Sequence, residues 1–189
     1  MSIIYAVVAA IILVLIACWL WTRKLAADAE KAVPQAGDIL PVKGGAIHFT
    51  DEGPRDGQTL VLIHGLAGSM HNMKYGLAGE LASDFRVITI DRPGTGYSSR
   101  DSDDQARFAP QTDMIWELLD KLGVEKPVLV GHSLGGALSL AMALQRKERV
   151  AGLALIAPLT MVTPGPPDVF KPLVIGSPFL RRLIGHTIS

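Results

Sequence analysis

The pentapeptide Gly131-His132-Ser133-Leu134-Gly135 stands between an apolar run, Pro127 to Val130, and a stretch with helical spacing from Gly136 to Gln145. A strand that feeds a helix through a serine turn leaves little room at the corner. Small residues at both flanks let such a turn close without a clash and lift the serine hydroxyl above the sheet. Ser133 is therefore the nucleophile candidate, with Gly131, His132 and Gly135 as its supporting motif. The turn also constrains the fold, because the strand before it must be covered on both faces.

Other segments repeat that pattern. Thr59 to Ile63, Arg86 to Ile90, Pro127 to Val130 and Val150 to Ile156 are short and rich in Val, Ile and Leu, as strands buried on both faces are. They alternate with Met70 to Ala82, Ala109 to Leu122 and Ser133 to Arg146, where apolar residues recur at three- and four-residue intervals. Gly123 marks the end of the second helix. Ile39 to Val42 and Ala46 to Thr50, separated by Gly44-Gly45, read as a hairpin in front of them. The expectation is an α/β fold with a mostly parallel sheet, helices on both faces and right-handed crossovers. Ligands on such sheets bind at the carboxyl ends of strands, where His64-Gly65, Asp91-Arg92 and Ser133 all fall.

Ahead of this domain, Ile3 to Trp21 is a run of nineteen residues without a charge. As a helix it spans roughly 28 Å, close to a hydrocarbon layer of about 30 Å. It is longer than the apolar core of a cleaved signal peptide and no basic segment precedes it, so we read a transmembrane anchor over residues 1–21. Trp19 and Trp21 sit where an aromatic belt would, and Arg23 and Lys24 follow at headgroup level. Those charges favour a cytoplasmic domain, with a periplasmic or extracellular one as the open alternative. Leu15-Ile16-Ala17-Cys18 has the look of a lipidation box, but the apolar run continues past Cys18, which is read as an ordinary membrane-buried cysteine. Residues 22–38, with Ala, charges, Pro34 and Gly37, suit a linker, and the core is assigned to residues 39–158.

Eighteen basic and eighteen acidic residues cancel, and no basic cluster is interleaved with aromatics, which argues against a nucleic-acid partner. Cys18 is the single cysteine, so no cysteine metal site arises and no metal is expected. The glycine-rich turn Asp91 to Ser98 lacks a P-loop lysine and the dinucleotide spacing, so Asp91 and Gly94 are read as bracing a pocket instead. His48 and His71 are read as ordinary satisfied or solvated histidines.

A serine hydroxyl needs a base to become nucleophilic, and a tetrahedral intermediate needs donors for its oxyanion. The backbone N–H of Leu134, in the first turn after the serine, is one candidate donor. That of Leu66, in the loop after His64-Gly65, is the other. His64 is assigned to shaping this loop. His132 is expected to pack locally, away from the hydroxyl.

Val61-Leu62-Ile63-His64-Gly65-Leu66, Asp91-Arg92-Pro93-Gly94-Thr95-Gly96-Tyr97-Ser98 and Gly131-His132-Ser133-Leu134-Gly135-Gly136, in this order, resemble the serine branch of the α/β-hydrolase superfamily. The resemblance covers about Asp38 to Pro158. It implies an α/β-hydrolase sheet, a serine nucleophile, an oxyanion hole from Leu66 and Leu134, and no cofactor. It also implies a helical cap after the sixth strand, an acid after the seventh and a histidine after the eighth. Residues 159–189, rich in proline, read as the start of that cap, with the beginning of a helix over Phe179 to Ile184, Ser177 as its N-cap candidate and Pro178 at its first position. Asp168 and His186 satisfy the chain order of a triad only formally, since neither follows a strand, and the sheet is expected to be incomplete. The implied function is hydrolysis of carboxylic esters or related acyl compounds, small or lipid-like, by a membrane-anchored enzyme whose acid and base are missing from this chain. The alternative is a non-catalytic binding or scaffold protein of the same fold. The 189 residues alone are expected to be inactive and poorly soluble.

Overall fold

The structure, a computed structural model, describes residues 2–160 and 176–177. The expectations for Asp168, His186 and the helix over Phe179 to Ile184 lie outside these residues.

Helix α1 runs over Ser2–Ala32 and is long and apolar enough to cross a membrane by length and composition, with mean hydropathy 3.0 in its most apolar window. Thirty-one residues give a helix of about 46 Å, longer than a hydrocarbon layer of about 30 Å. The linker expected from Thr22 onward is therefore helical as far as Ala32. Leu25, Ala26, Ala27, Ala29, Glu30 and Lys31 are strong helix formers, and Pro34 disfavours helical geometry at Val33, which ends the run. Arg23 lies over the Trp19 ring at 5.0 Å, a cation–π contact at the end of the apolar run.

Residues Ala36–Val162 form a separate compact unit. Its strands are β1 Asp38–Val42, β2 Gly45–Glu52, β3 Thr59–Ile63, β4 Arg86–Ile90, β5 Ser99–Arg100, β6 Val128–His132 and β7 Gly152–Ile156. They form one sheet in the order β1-β2-β4-β3-β6-β7, with β5 paired to β2. Strands β4, β3, β6 and β7 are mutually parallel, whereas β1, β2 and β5 pair antiparallel. The two-residue β5 carries no apolar alternation, and only its pairing with Gly45 and Ala46 makes it a strand.

The strands pack as their two-residue period requires. Leu60 and Leu62 of β3 join Val87 and Val130 on one face, against Met73, Leu77 and Ala78. Val61 and Ile63 join Ile88, Ile90 and Leu129 on the other, against helices α4 (Phe108–Lys121) and α5 (Leu134–Gln145). Both faces of β3 are buried, which is why its sequence is a continuous apolar run. Strand β7 is the outermost described strand on its side, and Leu153, Leu155 and Ile156 are exposed there.

The helical stretch after β3 is interrupted. Helix α2 covers Met70–Met73, a π-helical turn covers Lys74–Ala78, and α3 covers Gly79–Leu81. Apolar spacing alone predicts one regular helix here, because a widened turn leaves the buried residues on nearly the same face. Gly79 has ordinary helical angles (φ −60°, ψ −36°), and a Cβ there would meet no atom within 4 Å. Gly79→Ala is expected to raise stability by about 0.5–1 kcal/mol, read as a higher midpoint in urea unfolding.

Candidate functional site

The strand order determines where the site can lie. From β3 the chain crosses to β4 on one side, and from β6 it crosses to β7 on the other. Adjacent parallel strands whose connections depart in opposite directions leave a crevice beyond their carboxyl ends. In the β3–β6 pairing Ile63 lies opposite Gly131, so the crevice is formed by the turns that follow Ile63 and His132.

Ser133 stands on that crevice at φ 53° and ψ −116°, a left-handed conformation costly for a residue with a side chain. Its surroundings hold it there. The Ser133 N–H donates to Ile156 O at 3.0 Å, and the Ser133 carbonyl accepts from Leu159 N–H at 2.9 Å and Ala137 N–H at 3.2 Å. The turn closes only because its flanks are bare. A Cβ on Gly131 would fall on Ser139 Oγ, 2.5 Å from Gly135 O and 2.6 Å from the Gly136 Cα. A Cβ on Gly135 would fall on the Ile63 carbonyl oxygen and lie 2.5 Å from that of His64. Backbone cannot move aside as a side chain can. Gly135→Ala is expected to cost about 1–3 kcal/mol, measured by thermal unfolding, by pushing α5 off β3.

Ser133 is half-buried, and among the described residues its hydroxyl has no hydrogen-bond partner. His132 is exposed at the elbow, with Nδ1 3.1 Å from where a Cβ on Gly65 would stand. The same imagined Cβ lies 3.1 Å from the Ser133 Cβ, so the His64-Gly65 loop lies directly against the elbow. Leu66 is exposed on that loop, and Leu134, half-buried, opens α5. The first turn of α5 presents free backbone N–H groups and the positive end of the helix dipole beside the serine, an environment suited to an anion.

His64 is fully buried beneath the loop. The Arg92 N–H donates to its Nε2 at 3.1 Å, which leaves the ring proton on Nδ1, and Nδ1–H donates to Gly65 O at 2.8 Å. Burial, reinforced by the Arg92 charge, lowers its pKa to about 4 against the opposing pull of the Gly65 carbonyl and Asp91. The ring is therefore neutral at pH 7. The Arg92 guanidinium is pushed below its usual value by burial first and by Arg100 second.

Asp91 gathers the adjoining loops. Its Oδ1 accepts Met70 N–H at 2.7 Å, and its Oδ2 accepts His48 Nδ1–H at 2.7 Å and Tyr97 N–H at 3.1 Å. A Cβ on Gly96 would fall on this carboxylate, and one on Gly94 (φ 78°) would fall on Arg100 Nε. His48 thus belongs to a buried pair with Asp91, 43 residues away. Sequence spacing carries no trace of that pairing, which arises because β2 lies antiparallel beside β4. His71 packs its ring against Tyr75 at 5.6 Å.

A cavity of about 290 Å³, lined by Thr50, Asp51, Glu52, Arg55 and Lys74 among others, lies elsewhere. Glu52 pairs with Val87 near the start of β4, whereas the crevice lies past its end. Among the described residues no group of three or more His, Cys, Asp or Glu side chains could hold a metal ion.

Sheet and crevice together define an open α/β protein that carries a serine on a strained strand-to-helix turn at its switch point. Residues 58–181 match the family described as alpha/beta hydrolase fold, and the chain belongs to that family. It is 38% identical over 104 residues to the magnesium-chelatase 30 kDa subunit of Rhodobacter capsulatus, covering 54% of this chain and 36% of the relative. Among solved structures it is similar to a meta-cleavage product hydrolase from Pseudomonas fluorescens (TM-score 0.60, 29% identity, 66% of this chain and 46% of that one). It is similar also to naproxen esterase from Bacillus subtilis (TM-score 0.65, 25% identity, 79% and 53%). The match thus spans about a third of the length of that curated relative and about half of each solved chain.

Proposed function

We propose that this chain carries the nucleophilic half of a membrane-anchored serine hydrolase acting on carboxylic esters or related acyl compounds. The observation that carries the reading is Ser133 itself, a residue with a side chain held at φ 53° where glycine would sit without strain. Ser133 Oγ attacks the acyl carbon while a base takes its proton, the carbonyl oxygen becomes an oxyanion held by the N–H groups of Leu66 and Leu134, and the alkoxide leaves with the proton returned by the base. Water then releases the acyl group and restores the hydroxyl. The histidine and the acid that orients it come from outside the described residues. Helix α1 anchors the protein in a membrane, which favours amphiphilic acyl substrates that partition to its surface.

The unpartnered Ser133 hydroxyl favours a second reading, a binding protein of the same fold with no base. A fluorophosphonate probe separates the two, because phosphonylation with loss of fluoride requires an activated serine. Attachment mapped to Ser133 in the protein, absent from Ser133→Ala, supports the hydrolase. A folded protein that reacts no faster than free serine supports the binding module.

A further inference from the structure

We infer that Arg92 is a positioning residue for the oxyanion site, gripping the peptide between Gly65 and Leu66 so that the Leu66 N–H faces the Ser133 crevice. The inference rests on the assignment of Ser133 and Leu66 above and adds a residue which that assignment does not use. Arg92 is 4% exposed, and no carboxylate among the described residues pairs with it. A guanidinium buried without a counter-charge is costly unless its donors are satisfied. Here two of them are turned on one loop: Nε–H donates to His64 O and Nη2–H to Gly65 O, both at 3.1 Å.

Gly65 O consequently receives two donors, one from Arg92 and one from His64 Nδ1. No peptide bond among the described residues is cis, and in a trans peptide the C=O and N–H point in opposite directions. Holding the Gly65 oxygen toward Arg92 therefore turns the Leu66 N–H away from it. The loop lies against the elbow, with the imagined Gly65 Cβ 3.1 Å from the Ser133 Cβ. Two donors on the carbonyl also polarise the peptide and make its N–H a stronger donor. The loop needs this grip, since Leu66 and Ala67 are exposed and Ala67 sits at φ 54°, so little of its own packing would hold the peptide.

The test compares the full-length protein as wild type, Arg92→Met and Arg92→Lys on an ester and on its thiono analogue, whose sulfur anion is a poor match for donors placed for oxygen. Arg92→Met is expected to lower kcat for the ester by about 10–100-fold with little change in KM, because a misaimed donor acts on the transition state. The ester-to-thionoester rate ratio falls with it, and Arg92→Lys, which keeps the charge without the fork, recovers part of both. A folded Arg92→Met with an unchanged ratio overturns the inference, since general loosening slows both substrates alike. Should Arg92→Met fail to fold, Arg92→Lys in micelles decides through the Leu66 amide ¹⁵N and ¹H resonances: a shift supports the grip and unmoved resonances refute it. If the full-length wild-type protein hydrolyses no ester, the Ser133 assignment fails, and the Leu66 resonances still judge whether Arg92 holds the peptide.

Discussion

Ser133→Ala is expected to lower ester turnover by the complete protein by about 10⁴-fold or more, because without the nucleophile only binding and the oxyanion donors are left to catalyse. The loss falls on kcat, since the hydroxyl acts on the transition state and contributes little to holding the substrate. Stability moves the other way in a companion variant. The φ of 53° and ψ of −116° cost Ser133 about 1–3 kcal/mol. Ser133→Gly removes much of that strain, so it is expected to melt higher while being as inactive as the alanine variant. Ester assays together with calorimetry check both. A protein whose activity survives Ser133→Ala does not use this elbow, and a Ser133→Gly variant that melts lower means the strain is not stored there.

Acidification is expected to destabilise the fold through His64. Its pKa is about 4 in the folded protein and about 6.5 when the chain is unfolded, so the unfolded state binds the proton first. Above pH 6.5 both forms are neutral and His64 adds no pH dependence. As pH falls from about 6.5 to about 4, stability drops by up to about 1.4 kcal/mol per unit, about 3 kcal/mol in all. Carboxylates also titrate at the lower end of this window, so the measurement is a difference. Urea unfolding of wild type and His64→Gln at pH 7.5 and pH 4.5 should show a steeper acid loss for wild type, and parallel losses would refute the prediction. A proton on Nε2 would also displace the Arg92 N–H that His64 accepts, so the same titration loosens the loop carrying Leu66.

Much of this architecture is legible along the chain. Strands β3 and β4 coincide with the apolar runs that mark them, and α4 and α5 begin and end within one residue of the spacing that announces them. Glycine at position 131 is a local demand of the turn, since a Cβ there would strike Ser139, Gly135 and Gly136, whereas the demand at Gly135 comes from the Ile63 and His64 carbonyls across the sheet. The π turn at Lys74–Ala78 escapes the periodic pattern, and so does the helical course of Thr22 to Ala32, where composition suited a linker. In the second case most residues are good helix formers, and helix propensity outweighed the change from apolar to charged.

What the sequence determined by itself is whatever depends on neighbours along the chain: the strand and helix periods, the strained serine turn, the long apolar helix. Tertiary structure alone decided which distant residues meet. His48 finds Asp91, Met70 N–H joins the same carboxylate, and Arg92 reaches back 27 residues to the Gly65 carbonyl. These meetings depend on the order β1-β2-β4-β3-β6-β7, which crosses the chain over itself. A single sequence carries no record of that order, because each strand would bury its two apolar faces equally well beside several others, and only the packed whole selects one.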